Sequence, residues 1–201
     1  MIGIIDYGAG NLKSVEKAFQ KLGHAVTVSA DLPFLASCDK LILPGVGAFA
    51  DAMRELTERK LDIFIREQTG AGKPLLGICL GMQLLFDYSE EGGAEGLGLL
   101  HGRIKKIPGG DGRKVPQIGW NNITITKPGN LMHGIADGSF VYFVHSYYLD
   151  AADKADVAAT TQYGVTIDAA CESGNLYATQ FHPEKSSDTG LQMLHNFAAR
   201  T

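Results

Sequence analysis

Cysteine is scarce in this chain, and no two cysteines stand close together. Cys38, Cys79 and Cys171 are the only three among 201 residues. None belongs to a CxxC pair, which argues against a disulfide framework or a structural zinc site and for a reducing cytoplasm. Long apolar runs are also missing, and nothing approaches the roughly 18 consecutive apolar residues of a membrane helix. The opening MIGIIDYGAG has neither the basic start nor the apolar length of a signal peptide, so it reads as a first strand. There is no basic run and the net charge is −4, so the electrostatic footprint of a nucleic-acid binder is lacking. His24, His101, His133 and His195 stand at no metal-ligand spacing from another histidine, a cysteine or a carboxylate, and no metal site is expected.

What remains is an ordinary globular composition, 45% hydrophobic and 20% charged. The length suits one domain over residues 1–201 with a substantial core. The first half alternates short apolar strands with helical patterns. Ile2 to Ile5, HAVTVS, KLILPG and PLLGIC read as strands. Leu12, Val15, Phe19 and Leu22 recur at helical spacing with Gly23 as a stop, and Phe49 to Leu56 and Leu61 to Ile65 read as further helical pieces. That alternation predicts an α/β fold with a largely parallel sheet covered by helices on both faces. After about Asp87 the pattern changes. EEGGAEGLGLL reads as a loop, and NNITIT, SFVYFVHSYYL, VAATT, VTIDAAC and NLYATQFH read as strands, with CESGN as a hairpin turn. Antiparallel additions are therefore expected in the C-terminal half, before a last helix marked by Leu191, Leu194 and Phe197.

The stretch PLLGICLGMQLLF carries the first chemical signal. Strand PLLGIC runs directly into helix LGMQLLF, with Gly77 and Gly81 on either side of Cys79. This is the G-x-C-x-G form of a nucleophile elbow, in which a tight strand-to-helix turn lifts the thiol over the C-terminal edge of the sheet. The helix N-terminus favours the thiolate. Taken alone the motif leaves a packed core cysteine open as the alternative. A thiol also needs a base, and QFHPEKS supplies one at the end of the last predicted strand: His182, with Glu184 two residues on and on the same strand face. Cys79 as nucleophile, His182 as base and Glu184 as its orienter make a complete triad. The loop PGVG, with Gly45, Val46 and Gly47, and the Leu80 N–H are the candidate oxyanion donors. Glycines on both sides of Val46 would let that peptide rotate as a gate. DYGAGNLKS lacks the glycine before Lys13 and Ser14 that a phosphate loop requires, so no nucleotide site is read there.

GICLGMQ together with FHPEKS resembles the class I (triad) glutamine amidotransferases, which hydrolyse glutamine and pass ammonia to a second active site. IDYGAGNLKSV, LPGVGAF, VPQIGWN, FVHSYY and QFHPEKSS extend the likeness over nearly the whole chain. They resemble the branch of glutaminase subunits that serve imidazole glycerol phosphate synthases in histidine biosynthesis. The resemblance implies a mixed sheet flanked by helices and the triad Cys79, His182 and Glu184. It implies a glutamine site at Gly47, Gln83, His145, Ser146 and Tyr147, with no metal or organic cofactor. It implies a heterodimer with a (β/α)8-barrel cyclase that uses the ammonia to make imidazole glycerol phosphate and aminoimidazole carboxamide ribonucleotide. Asn11, Trp120, Tyr142 and Lys185 are the candidate partner surface. Gln117 departs from the pattern, which has His there, at a position assigned to that same surface. Two alternatives remain: the glutaminase of another amidotransferase, such as that of pyridoxal phosphate synthesis, and a stand-alone cysteine hydrolase of similar fold.

Overall fold

The computed structural model describes residues 1–110 and 112–201. In chain order the first half contains β1 (Ile2–Ile5), α1 (Leu12–Lys21), β2 (Val26–Ser29), α2 (Leu32–Ser37), β3 (Lys40–Gly45), α3 (Phe49–Glu58), α4 (Leu61–Gly70), β4 (Leu75–Cys79) and α5 (Leu80–Leu84). The second half contains β5 (Tyr88–Ser89), β6 (Ala94–Glu95), β7 (Gly102–Lys106), β8 (Gln117–Asn122), β9 (Thr124–Ile125), β10 (Phe140–His145), β11 (Tyr147–Ala151), β12 (Val157–Gln162), β13 (Thr166–Ser173), β14 (Leu176–Thr179) and α6 (Ser187–Arg200). The main sheet has eight strands in the order β2-β1-β3-β4-β14-β13-β12-β9. Its first five strands are parallel, and the strands from β13 outward are antiparallel. A separate ribbon pairs β10 with β8, and a small sheet runs β11-β7-β5-β6.

The apolar strands are continuous because both sheet faces are covered. Ile5, Leu41, Leu43 and Leu75 pack with Phe49, Leu56 and Phe64 of α3 and α4 on one face. Ile4, Ile42, Leu76 and Ile78 pack with Val15 and Phe19 of α1 and with Leu194 and Phe197 of α6 on the other. Neighbouring residues of one strand thus feed opposite cores, as the two-residue period requires. No helix among the described residues is long and apolar enough to cross a membrane.

The structure departs from the sequence reading in several places, NNITIT among them, which is divided between the end of β8 and β9. The helix α2 is short, with Pro33 in its first turn, so its period is too brief to read, although Asp31 caps it by accepting from the Phe34 N–H at 2.9 Å. The stretch EEGGAEGLGLL is not all loop, because Ala94–Glu95 forms β6, and the unread GRIKK forms β7. SFVYFVHSYYL is two strands: the chain leaves the ribbon at Ser146, whose carbonyl accepts from Ile107 N–H, and β11 joins the small sheet. Alternation shows that residues are extended, but not with which strand they pair. Finally, NLYATQFH is strand only to Thr179, and that strand lies parallel to β4. His182 is an extended residue leading into a 3₁₀ turn, Pro183–Lys185.

Gly81 of α5 marks the tightest approach of a helix to the sheet. A Cβ there would stand 1.7 Å from the Leu43 carbonyl oxygen, a backbone atom that cannot swing aside. Gly81→Ala should therefore cost more than about 3 kcal/mol, lowering the thermal midpoint by roughly 6–12 °C. Gly70→Ala, where a Cβ meets nothing within 4 Å, should leave the midpoint unchanged. Equal midpoints for the two variants in a thermal melt would contradict this packing.

Candidate active site

β4 ends at Cys79 and α5 begins at Leu80, with no loop between them. The reversal is absorbed at Cys79 itself, with φ 55° and ψ −111°, a conformation that costs a side-chain-bearing residue about 1–3 kcal/mol. The glycines on either side serve close approach rather than positive φ. A Cβ at Gly77 would lie 2.7 Å from the Gly81 carbonyl oxygen. Cys79 also pairs with Gly45 across β3 and β4. The expected lift of the thiol is partial, since Cys79 is only 6% exposed. Its sulfur lies 3.9 Å from the Val144 carbonyl oxygen and 3.9 Å from the Gln180 side-chain nitrogen. It faces a cavity of about 290 Å³ lined by Val46, Gly47, Leu80, Gln83, His145 and their neighbours.

His182 and Glu184 do meet, but not by strand alternation. The 3₁₀ turn at Pro183 brings the carboxylate back to the imidazole, with Nδ1 2.8 Å from Oε1 and both side chains sealed from solvent. Nε2 of His182 is buried and has no hydrogen-bond partner among the described residues. Burial alone would drive the proton off this ring. The Cys79 sulfur and the Glu184 carboxylate outweigh it and raise the imidazole to about 9. The sulfur contributes to that rise mainly as a hydrogen-bond partner facing the ring, more than through charge, although the contact falls short of a fully formed bond.

The expected oxyanion group divides. Val46, Gly47 and Leu80 line the cavity, whereas Gly45 does not. Gly45 is the last residue of β3, and a Cβ there would meet the Tyr7 hydroxyl at 2.5 Å and Leu80 Cβ at 2.9 Å. It is held by packing and cannot act as a hinge. Gly47, at φ 116° with nothing near its missing Cβ, keeps conformational freedom. All five residues expected to hold glutamine, Gly47, Gln83, His145, Ser146 and Tyr147, line the cavity. Gln83 is fixed by donating to the Tyr147 carbonyl at 3.0 Å and to Gln180 Oε1 at 2.9 Å. Sequence reasoning missed Gln180, Tyr7 and Glu91. Gln180 stands two residues before His182 and could have been found there. Tyr7 reaches the elbow only through packing. Glu91 lines the cavity and accepts from the Phe49 N–H at 2.9 Å, a contact between distant segments.

A glutamine amidotransferase class-I family model matches residues 3–201. The chain belongs to the class-I glutamine amidotransferase family. It is 51% identical over 197 residues to the imidazole glycerol phosphate synthase subunit HisH of Moorella thermoacetica, covering 98% of this chain and 93% of that relative. It is 50% identical over 202 residues to the protein of the same name from Geobacillus kaustophilus, covering 98% and 95%. Among solved structures, a glutamine amidotransferase matches with a TM-score of 0.76 at 19% identity, covering 98% of this chain and 99% of that one. PurLQS from Thermotoga maritima matches at 0.73 and 20% identity, covering 98% and 96%. These structural likenesses concern the fold.

In this amidotransferase the four residues of the expected partner surface come from three segments: the β8–β10 ribbon, the 3₁₀ turn and the residue before α1. Trp120 and Tyr142 stack edge-to-face at 6.0 Å on the β8–β10 ribbon. Lys185 is exposed in the 3₁₀ turn, and Asn11 precedes α1. Gln117 was expected on that surface and is instead buried on the inner face of the ribbon, opposite His145. The two-residue period turns Gln117 inward when Ile118 and Trp120 turn outward. His24 and His195 also come together, at 3.2 Å, across a sequence gap that no motif bridges.

Burial and, to a lesser degree, the nearby His182 charge lower the His145 imidazole to about 4, against the pull of its Nδ1–H bond to the Tyr147 carbonyl. Below pH 6.5 the unfolded chain binds a proton that folded His145 refuses until about pH 4. Stability should thus fall as pH drops through that window, by roughly 2 kcal/mol at pH 5 relative to pH 7 from this residue alone. His145→Asn should lack that increment in denaturant titrations at the two pH values. The same pH dependence in both proteins would contradict the neutral, buried assignment.

Proposed function

We propose that this amidotransferase hydrolyses glutamine to glutamate and ammonia through Cys79, His182 and Glu184, and supplies the ammonia to a cyclase subunit in imidazole glycerol phosphate synthesis. The observation that carries the chemistry is the sealed His182–Glu184 pair, whose free Nε2 is charge-coupled to a cysteine held at positive φ beside a cavity. The cyclase reading rests on the half-identical relatives, which are subunits of imidazole glycerol phosphate synthase.

The residues divide the reaction between them. Imidazolium at His182 is the counter-ion of the Cys79 thiolate. The sulfur attacks the carboxamide carbon of glutamine, and the tetrahedral oxyanion is met by backbone N–H groups of Leu80 and the Val46–Gly47 segment. His182 then gives its proton to the departing nitrogen, the C–N bond breaks, and ammonia leaves a thioester on Cys79. Water adds to the thioester as His182 takes a proton from it. Collapse expels the thiolate, and glutamate leaves. Glu184 keeps the imidazole in one orientation through both halves of the cycle. His145 stays neutral in the cavity and takes no part in proton transfer.

The ammonia acceptor would dock on the outer face of the β8–β10 ribbon. Ile118 is 63% exposed, Trp120 51% and Phe140 60%, an apolar run uncommon on a free surface. The same face ends at Val144, which lines the cavity. The face therefore leads from the place where ammonia is released to the place where a partner would sit. The Val46–Gly47 peptide, exposed and backed by one flexible glycine, is the gate whose rotation the partner would control.

Cys79→Ala should abolish glutamine hydrolysis by the complex while added ammonia still supports cyclase turnover. Glutaminase activity retained in that variant would remove Cys79 as nucleophile. His182→Ala should be near-inactive, and Glu184→Gln only partly impaired, because the imidazole remains when its orienter is weakened. Equal rates for Glu184→Gln and wild type would remove Glu184 from the triad. On the partner face, Trp120→Ala should weaken association with the cyclase about tenfold or more, as loss of a central aromatic anchor does. Unchanged affinity by titration calorimetry would place the interface elsewhere.

A further inference from the structure

The turn that carries His182 is not part of any sheet, so something else must fix its backbone. Three hydrogen bonds do so. The His182 N–H donates to the Tyr142 carbonyl at 2.9 Å. The Ser186 hydroxyl donates to the His182 carbonyl at 2.6 Å and accepts from the Tyr142 N–H at 3.0 Å. Tyr142 thus spends both main-chain groups on the catalytic turn, the carbonyl directly and the N–H through Ser186. Ser186 is 1% exposed, so no water replaces its hydroxyl, and without it the Tyr142 N–H becomes a buried donor with no acceptor. The His182 carbonyl would retain the Lys185 N–H, at 3.0 Å. The specific loss is therefore the link between the turn and the ribbon.

We propose that Ser186 is a positioning residue of the glutaminase, a clip that sets the His182 backbone against β10 so that the free imidazole nitrogen faces Cys79. The inference rests on His182 being the base of the reaction proposed above. The ring is already oriented by Glu184 at 2.8 Å, but that bond lies within the same short turn and moves with it. Among the described residues, the hydrogen bonds that tie the turn to the ribbon all run to Tyr142, and Val144 of that ribbon places its carbonyl 3.9 Å from the Cys79 sulfur. Cys79 and His182 therefore share a common reference in β10. The Tyr142 ring stacks on Trp120 on the exposed face, so a partner pressing on that face acts on the residue that the clip holds.

The test compares Ser186→Ala and Ser186→Thr with Thr161→Val. Thr161 is an equally buried hydroxyl that donates to the Asn122 carbonyl at 2.7 Å, away from the catalytic turn. Each full-length protein is assayed for glutamine hydrolysis with the cyclase at saturation, and its thermal midpoint is recorded. Ser186→Ala should lower kcat tenfold or more with KM for glutamine within twofold, since the base is misplaced and the substrate pocket is not. Thr161→Val should lose comparable stability and keep its kcat. Ser186→Thr, which keeps the hydroxyl, should recover most of the rate in the folded fraction. A wild-type kcat for Ser186→Ala, a matching rise in KM, or an equal kcat loss in Thr161→Val would each overturn the clip. Activity of His182→Ala in the same assay separates the two levels. If that variant is inactive beside an unimpaired Ser186→Ala, only the clip fails. If it is active, the assignment of the base fails as well.

Discussion

A cysteine turned to positive φ where a strand becomes a helix is the constraint on which the rest of this structure depends. Left alone, the backbone at Cys79 would relax by about 1–3 kcal/mol. It is prevented from doing so by atoms packed on every side. Gly77 lies under the Gly81 carbonyl, Gly81 against the Leu43 carbonyl, and Gly45 against Tyr7 and Leu80. None of these contacts leaves room for a methyl group. The parallel register of β3, β4 and β14 then delivers Gly45, Cys79 and the segment beginning at Gln180 to the same edge of the sheet. The cavity stands there because these chain ends stop together, in keeping with the general placement of sites at the carboxyl ends of parallel strands.

Electrostatics completes what geometry begins. Two effects of opposite sign act on His182, and the balance decides its role. Burial disfavours the imidazolium, while the sulfur of Cys79 and the carboxylate of Glu184 favour it, and the second group wins. His145, which lines the cavity beside Cys79, bonds its ring to the Tyr147 carbonyl and to no carboxylate, and goes the other way, staying neutral. One fold thus holds two buried histidines in opposite protonation states near neutral pH, and the contacts of His182 with Cys79 first and Glu184 second make the difference between them.

Much of this was legible in the sequence, for physical reasons that differ from residue to residue. The strands of the parallel sheet are short, apolar and bounded by turn residues, so their period and limits show. Gly77, Cys79 and Gly81 show because a strained turn needs small neighbours at fixed spacing. The pairing of His182 with Glu184 was read correctly, but from the wrong geometry, since a 3₁₀ turn and a strand can each bring residues two apart to one side. Tertiary choices were not legible. The alternation in SFVYFVHSYYL carries no mark of the change of sheet at Ser146. The inward turn of Gln117 follows from the register of β8, which the motif around it does not specify. Ser186, lying in FHPEKSS, offered a motif position but no hint that its partner would be the backbone of Tyr142.

The central claim is that the elbow presents Cys79, and no other cysteine, to the cavity beside it. The most direct measurement is to treat the complex with a chloroketone analogue of glutamine and locate the adduct by peptide mass spectrometry. The account predicts one equivalent of label on the peptide containing Cys79, suppressed by excess glutamine. Cys38 and Cys171, both buried in the core, should stay unmodified. Glutamine-protected labelling at either of those residues, or no protectable label on Cys79, would contradict it.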